Sequence, residues 1–195
     1  WRKRLYHDGA PEAGRVTSIV RYDPCAAFPA HEHPEGEEIL VLSGTFSDET
    51  GDWGPGSYLL SPEGYAHAPR SDTGCDLLVH LRQYRGRGFR RLDTESMAWE
   101  KGTVEGLRQK VLVDDPDTPD GPVLVRLVRF DPGAVVPEHP HQWGEEILVL
   151  ECELNDDQGR YGTGTWLRQP PGSRHRAFSP AGCTLYIRVG GLGLA

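Results

Sequence analysis

The segment RYDPCAAFPAHEHPEGEEILVL, which begins at Arg21, returns as RFDPGAVVPEHPHQWGEEILVL at Arg129. The displacement of 108 residues then holds without a gap for roughly sixty positions, of which roughly two in five are identical. It runs through Asp48/Asp156, Gly51/Gly159, Gly54/Gly162, Gly56/Gly164, Pro62/Pro170, Gly64/Gly172, His67/His175 and the pair Gly74-Cys75/Gly182-Cys183. Shared composition cannot give that much matched order, so the chain is two copies of one unit. Any fold proposed for it must be a fold that occurs twice within 195 residues.

Each copy reads as a series of short strands. In EEILVL the side chains alternate, so Glu37, Ile39 and Val41 point one way and Glu38, Leu40 and Leu42 the other. Both faces are apolar after the first residue, which predicts burial on both sides. The turn signals SDETGDWGPG and NDDQGRYGTG follow, then YLLSPEG and WLRQPPG, then the strands CDLLVHLRQY and CTLYIRV. Twenty-four glycines and sixteen prolines between short apolar runs favour an all-β chain of closed or sandwiched antiparallel barrels. The expected division is residues 1–88 for the first barrel, 89–98 for a connector and 99–195 for the second barrel. The connector lies within RGRGFRRLDTESMAWEKG, whose glycines and charges read as a solvated linker. DDPDTPDG, from Asp114 to Gly121, reads as a surface turn matched by HDGAPEAG in the first copy.

A net charge of −8 argues against a nucleic-acid surface, and no apolar run of eighteen residues is present to span a membrane. Cys25, Cys75, Cys152 and Cys183 lie far apart in sequence and form no C-x-x-C pair, which reads as free thiols in a reducing cytoplasm. The chain opens at Trp1 without a signal segment and reads as a piece trimmed from something longer.

Six of the eight histidines fall at repeating positions. His31 and His33 are two apart, so on a strand they project from one face with their roots close together. The PEG turn can bring the next strand alongside, placing Glu37 near them, and His67 after the turn in SPEGYAH would complete three nitrogens and one carboxylate oxygen. The second copy offers His139, His141, Glu145 and His175 at the same intervals. The competing interpretation of HEHPEGEE is a solvated charged turn. His7 and His80 stand outside the pattern and receive no role.

The pattern H-x-H-x3-E-x6-G followed by G-x5-P-x-G-x2-H resembles the two cupin motifs, carried by His31, His33, Glu37 and Gly44, then Gly56, Pro62, Gly64 and His67. The second copy matches with Gly133 ahead of His139, His141 and Glu145, then Gly164, Pro170, Gly172 and His175. More narrowly, GEEILVLSGTFSDETGDWGPGSYLLSPEGYAHAP resembles the cupin-like domain of the ChrR anti-sigma factors. Cys152 replaces the first motif's glycine in the second copy, Cys25 replaces the leading glycine in the first, and Ser71 and Ser179 stand where many cupins have asparagine. Because glycine at a strand end eases a bend, Cys152 predicts a local difference in the second barrel. The resemblance implies a bicupin, two tandem jelly-roll (double-stranded β-helix) barrels.

Spacing independently implies two divalent metal sites, with zinc or iron(II) expected and manganese or nickel as alternatives. Three histidines and a glutamate could close a tetrahedral zinc site, or leave positions for ligands on a six-coordinate ion. Imidazoles must be neutral to bind, so metal should be lost as pH falls through their titration range.

Two functions follow. One is a sensory, regulatory or stress-response module, as the ChrR resemblance implies, with a sigma factor as partner only if a helical domain precedes Trp1. The other is an iron(II) dioxygenase acting on a β-diketone or hydroxyaryl ketone, with the metal as Lewis acid and template. Glu37 and Glu145 weaken the second, since the diketone-cleaving type is expected to use three histidines alone. Equal ligand sets argue against a chain with one working and one structural site. Tyr58, Tyr65, Trp143 and Trp166 could wall a pocket or pack in a core. A small-molecule ligand at the metal and a homodimer are compatible with either function.

Overall fold

The computed structural model describes residues 1–10 and 13–192, so Pro11 and Glu12 of the turn HDGAPEAG lie outside the described residues. Every described element is a β-strand, and all pairings are antiparallel. The chain divides into two compact units, Trp1–Met97 and Ala98–Ala195.

In the first unit a six-stranded sheet runs in the order Arg2–Asp8, Arg15–Tyr22, Cys75–Leu81, Glu37–Gly44, Ser57–Ser61 and Arg90–Asp93. The last strand comes from the stretch read as a connector: Arg90 to Asp93 pair with Leu60 to Ser57. A four-stranded sheet, Ala26–Ala27, Arg70–Ser71, Phe46–Asp48 and Gly51–Trp53, shares a core with it. Phe46 of the smaller sheet packs among Ile39, Val41, Leu59, Leu77 and Val79 of the larger. EEILVL is buried on both faces, as its composition predicts. Glu38 on the outer face is buried too, with the His80 ring nitrogen 3.9 Å from its carboxylate.

The second unit repeats this plan with one change. Its nine strands, from Glu100–Lys101 to Cys183–Val189, form a single connected sheet, because Glu145–Asn155 runs unbroken where the first unit has the two strands Glu37–Gly44 and Phe46–Asp48. The first unit breaks at Gly44, which has φ +70° and where a β-carbon would fall 2.0 Å from the Gly74 carbonyl oxygen. Cys152 holds the same left-handed conformation at φ 59°, a conformation that costs a non-glycine residue about 1–2 kcal/mol. The local difference expected at Cys152 is therefore a continuous strand with an unchanged backbone bend. Cys25, at φ 63°, likewise adopts the bend that Gly133 makes at φ +79°.

Cys152 and Cys183, distant in sequence, are cross-strand partners, and all four cysteines are free. Ser71 and Ser179 are fully buried and donate their hydroxyls to the Thr45 and Glu153 carbonyls at 2.5 and 2.6 Å. Asp114 and Asp115 of the turn DDPDTPDG close the strand Leu107–Asp115, and the turn itself follows them. Among the described residues no helix is long and apolar enough to cross a membrane.

Candidate metal centres

The turn before Glu37 sets the geometry of the first site. Glu35 and Gly36 both have positive φ, 56° and 78°, and a β-carbon on Gly36 would meet the Tyr84 carbonyl oxygen at 2.5 Å. That tight reversal follows His33 and precedes Glu37, whose carboxylate comes back to 3.5 Å from the His33 ring; ahead of it lies the short strand His31–Glu32. The latter pairs with Ala66–His67, so His31 and His67 are direct cross-strand partners. In the second unit His139 and His175 are partners in the same way.

One ring nitrogen from each of His31, His33 and His67 lies within 4.8 Å of the others, as does one from each of His139, His141 and His175. In the first group His33 Nε2 is 3.1 Å from His67 Nε2. Glu37 joins them, with Oε1 3.5 Å from His33 Nε2 and Oε2 3.3 Å from His67 Nε2. In the second, Glu145 Oε2 is 3.5 Å from His141 Nδ1, and His141 Nε2 is buried without a partner. The six histidines expected from spacing thus form two triads, with Glu37 beside His33 and His67 in the first and Glu145 beside His141 in the second.

The remaining ring nitrogens show which atom each histidine offers. His31 Nδ1 lies 2.8 Å from the Pro29 carbonyl oxygen and His139 Nδ1 3.0 Å from that of Pro137. A carbonyl only accepts, so Nδ1 carries the proton and Nε2 is left with its lone pair for the site. His67 Nδ1 faces Asp48 Oδ2 at 3.6 Å, and His175 Nδ1 faces Asp156 Oδ2 at 3.4 Å. Both aspartates are buried. They escaped the sequence reading except as repeated identities, although a signal existed: in FSD and LND the aspartate sits two residues after an inward-facing apolar side chain, and so shares its face.

Asp48 is also approached at 3.5 Å by Arg91, whose guanidinium donates to the Ser61 hydroxyl and stacks 4.2 Å from the Phe89 ring. Arg91 belongs to the supposed linker. Asp156 instead accepts from the Tyr161 hydroxyl and from the Gln158 and Gly159 amides.

Burial governs the protonation of these groups. It pushes Glu37 up to about 7 despite His67 and Arg91, and pushes Glu145 up to about 7 despite Arg126. Burial, then the neighbouring imidazoles, depress His33 and His141 to about 4. Burial also acts to lower His67, but Asp48 and Glu37 outweigh it and raise its pKa, whereas at His175 burial and His139 prevail over Asp156 and lower it. Asp48 is held below the usual carboxylate range: burial opposes this, but His67, Thr50 and Arg91 overcome it.

Such a set fits a divalent cation. Donors bonded at about 2.1 Å to one ion stand about 3.0–3.4 Å apart, close to the 3.1–3.5 Å spacings of His33, His67 and Glu37. Glu37 Oε2 and His141 Nε2 are buried polar atoms lacking a hydrogen-bond partner, a costly state that an ion would relieve.

The model of the ChrR cupin-like domain matches residues 1–85 and again residues 89–192. The chain belongs to this family. The ChrR cupin-like chain is also similar to a candidate dioxygenase from Nostoc punctiforme (16% identity, TM-score 0.77, 100% of this chain and 81% of that one). It is similar to a cupin 2 conserved barrel domain protein from Leptotrichia buccalis (12%, TM-score 0.66, 97% and 88%). A third is a Bacillus subtilis oxalate decarboxylase with Mn(II) centres (14%, TM-score 0.60, 93% and 70%). No curated protein matches the chain. At these identities the likeness establishes the fold, which is that of tandem cupin barrels.

The two centres have different surroundings. Next to His139, Glu145 and His175 the second barrel holds a cavity of about 260 Å³. Its lining includes the exposed residues Thr103 and Arg108, so it reaches solvent. Neither Trp143 nor Trp166 lines it. In the first barrel Tyr65 stands 6.2 Å from the His67 ring, while Tyr58 is fully buried in the core.

Proposed function

We propose that the chain is a metal-binding bicupin holding one divalent ion per barrel, through His31, His33, Glu37 and His67 in the first and His139, His141, Glu145 and His175 in the second. The observation that carries this is the convergence, in each barrel, of three imidazoles and one buried carboxylate with donor atoms left unpaired. Zinc or iron(II) is the expected ion, with manganese or nickel able to use the same donors. The role that fits the family is a cytoplasmic sensory or regulatory module.

The residues divide the work. His33 and His141, with pKa values near 4, remain neutral and able to bind down to acidic pH. Glu37 and Glu145 are the groups whose ionisation binding must drive. Asp156 orients His175 through a hydrogen bond to Nδ1, and Asp48, 3.6 Å from His67 Nδ1, presents a carboxylate to the same ring atom in the first barrel. Asp48→Asn should lower metal affinity in the first barrel by roughly 10–100-fold while leaving the second unchanged, as a chelator-competition titration would read.

Protons compete with the metal first at the glutamates. Each has a metal-free pKa near 7, so affinity should fall about tenfold per pH unit below that value, with His67, raised above its ordinary 6.5, steepening the loss in the first barrel. Calorimetry in buffers of differing ionisation enthalpy would show net proton release on binding at about pH 6. Uptake, or no exchange, would contradict the ligand assignment.

A second reading, a metal-dependent dioxygenase, is favoured by the cavity against His139, Glu145 and His175 and by likeness to a candidate dioxygenase. A bound ion would supply Lewis acidity there. Elemental analysis of untagged protein, with an oxygen-uptake screen on diketones and aryl ketones, separates the two. Zinc without turnover supports the module, and iron with oxygen consumption supports the enzyme.

A further inference from the structure

The cavity of the second barrel is lined by a cation, Arg126, that makes no direct ion pair with a carboxylate among the described residues. Arg126 lies on the strand Val123–Phe130, on the same inward face as Val128 and Phe130, and all three line the cavity. Its Nη1 donates to Gln109 Oε1 at 3.1 Å, while its Nε is fully buried with no partner. Among the described residues no carboxylate pairs with it. The acid that acts on it through space is Glu145, whose charge the metal would engage. A guanidinium is always charged, and a half-buried one whose nearest acid is a prospective metal ligand gains from a further anionic partner. The rest of the lining is largely apolar, with Leu107, Val128, Leu154, Ala177 and Leu185 on its walls. Its volume of about 260 Å³ is room for a small molecule.

We propose that Arg126 and Gln109 anchor the carboxylate of a small apolar monocarboxylic acid in the second barrel, with the ligand body filling the space between them and the histidine triad. The planar fork of a guanidinium matches a carboxylate, and the aliphatic walls suit an alkyl or aryl body but not a multiply charged anion. The first barrel is built differently at the same positions. Ser18 replaces Arg126, and its hydroxyl accepts from Nε of Arg2, an exposed residue, at 2.8 Å. Phe46, Phe28 and Tyr22 replace Leu154, Val136 and Phe130, with Tyr22 4.9 Å from Phe28 and 6.3 Å from Phe46, ring to ring. The pair of barrels thus carries matched donor sets and unmatched interiors, and the ligand belongs to the second.

The inference deepens the small-molecule reading of the second centre but stands on the cavity and Arg126 alone, so it is tested with and without metal. Benzoate and its neutral counterpart benzyl alcohol would be titrated calorimetrically into the full chain, metal-loaded and chelated, and into Arg126→Gln and Arg126→Lys. The expected result is one benzoate per chain in both metal states, with benzyl alcohol at least about tenfold weaker. Arg126→Gln should weaken benzoate roughly 10- to 100-fold, and Arg126→Lys less, at unchanged metal content. Undiminished binding in Arg126→Gln, equal binding of benzyl alcohol, or no binding of benzoate by the unmodified chain would overturn the proposal. Benzoate binding that needs metal but ignores Arg126 would overturn the anchor and leave the metal centres standing. Absence of metal with Arg126-dependent binding would do the reverse.

Discussion

His33→Ala is expected to lower the metal content of the chain from two ions to one, and His141→Ala to do the same at the other centre. His33 Nε2 stands 3.1 Å from His67 Nε2 and 3.5 Å from Glu37, between the two other buried donors of its group. Its loss leaves His31, which is exposed, with His67 and a carboxylate that prefers its proton near neutral pH. The effect should exceed the roughly 10–100-fold expected for an outer-shell change such as Asp48→Asn. The two donor sets share no residue, so each variant should keep the other ion at unchanged affinity. Elemental analysis of the two single variants and the double variant reads this directly, with one, one and zero ions expected. Two ions per chain in either single variant would show that other residues bind them.

The second large effect separates function from stability. Glu37 has an ordinary pKa of 4.5 and one of about 7 in the metal-free fold, because burial disfavours its charge. The folded state therefore holds a proton that the unfolded chain releases between these values. The cost of the ionised side chain is absent below about pH 4.5 and complete above about pH 7, where it reaches about 3 kcal/mol. Glu37→Gln removes that cost. At about pH 8 and without metal the variant should melt higher than the unmodified protein, by about ten degrees or more for a unit of this size. At about pH 4 the two should melt together. With saturating zinc the order should reverse, since only the unmodified site gains the full stabilisation of binding. Glu145→Gln should act in the same direction at the second centre, less cleanly, because Arg126 then loses the nearby charge that favours its own. Scanning calorimetry at the two pH values, with chelator and with zinc, tests both. A Glu37→Gln protein less stable than the parent under chelator at high pH would show that Glu37 is held by partners rather than stranded for a cation.

The donors were legible in the sequence because they are bound by local rules. Two histidines two apart share a strand face, the PEG turn returns the chain, and the 108-residue repeat states the pattern twice. What surrounds them was harder to read. Arg91 sits in a glycine-rich basic stretch that looks solvated, yet pairing of Arg90–Asp93 with Ser57–Ser61 seats it against Asp48. The unequal interiors were visible only as single substitutions, Phe46 for Leu154 or Ser18 for Arg126, whose meaning depends on which face of a barrel wall they occupy. Equal donor sets suggested equal sites. At these positions the second barrel has Leu154, Val136, Phe130 and Arg126, all of which line the cavity beside its histidines.

The most direct test of the central claim is anomalous diffraction from crystals of untagged protein, recorded above and below the absorption edge of the metal found by elemental analysis. Two peaks per chain are expected, one within bonding distance of His31, His33, Glu37 and His67 and one within bonding distance of His139, His141, Glu145 and His175. No peak at either group, or peaks at other residues only, would contradict it.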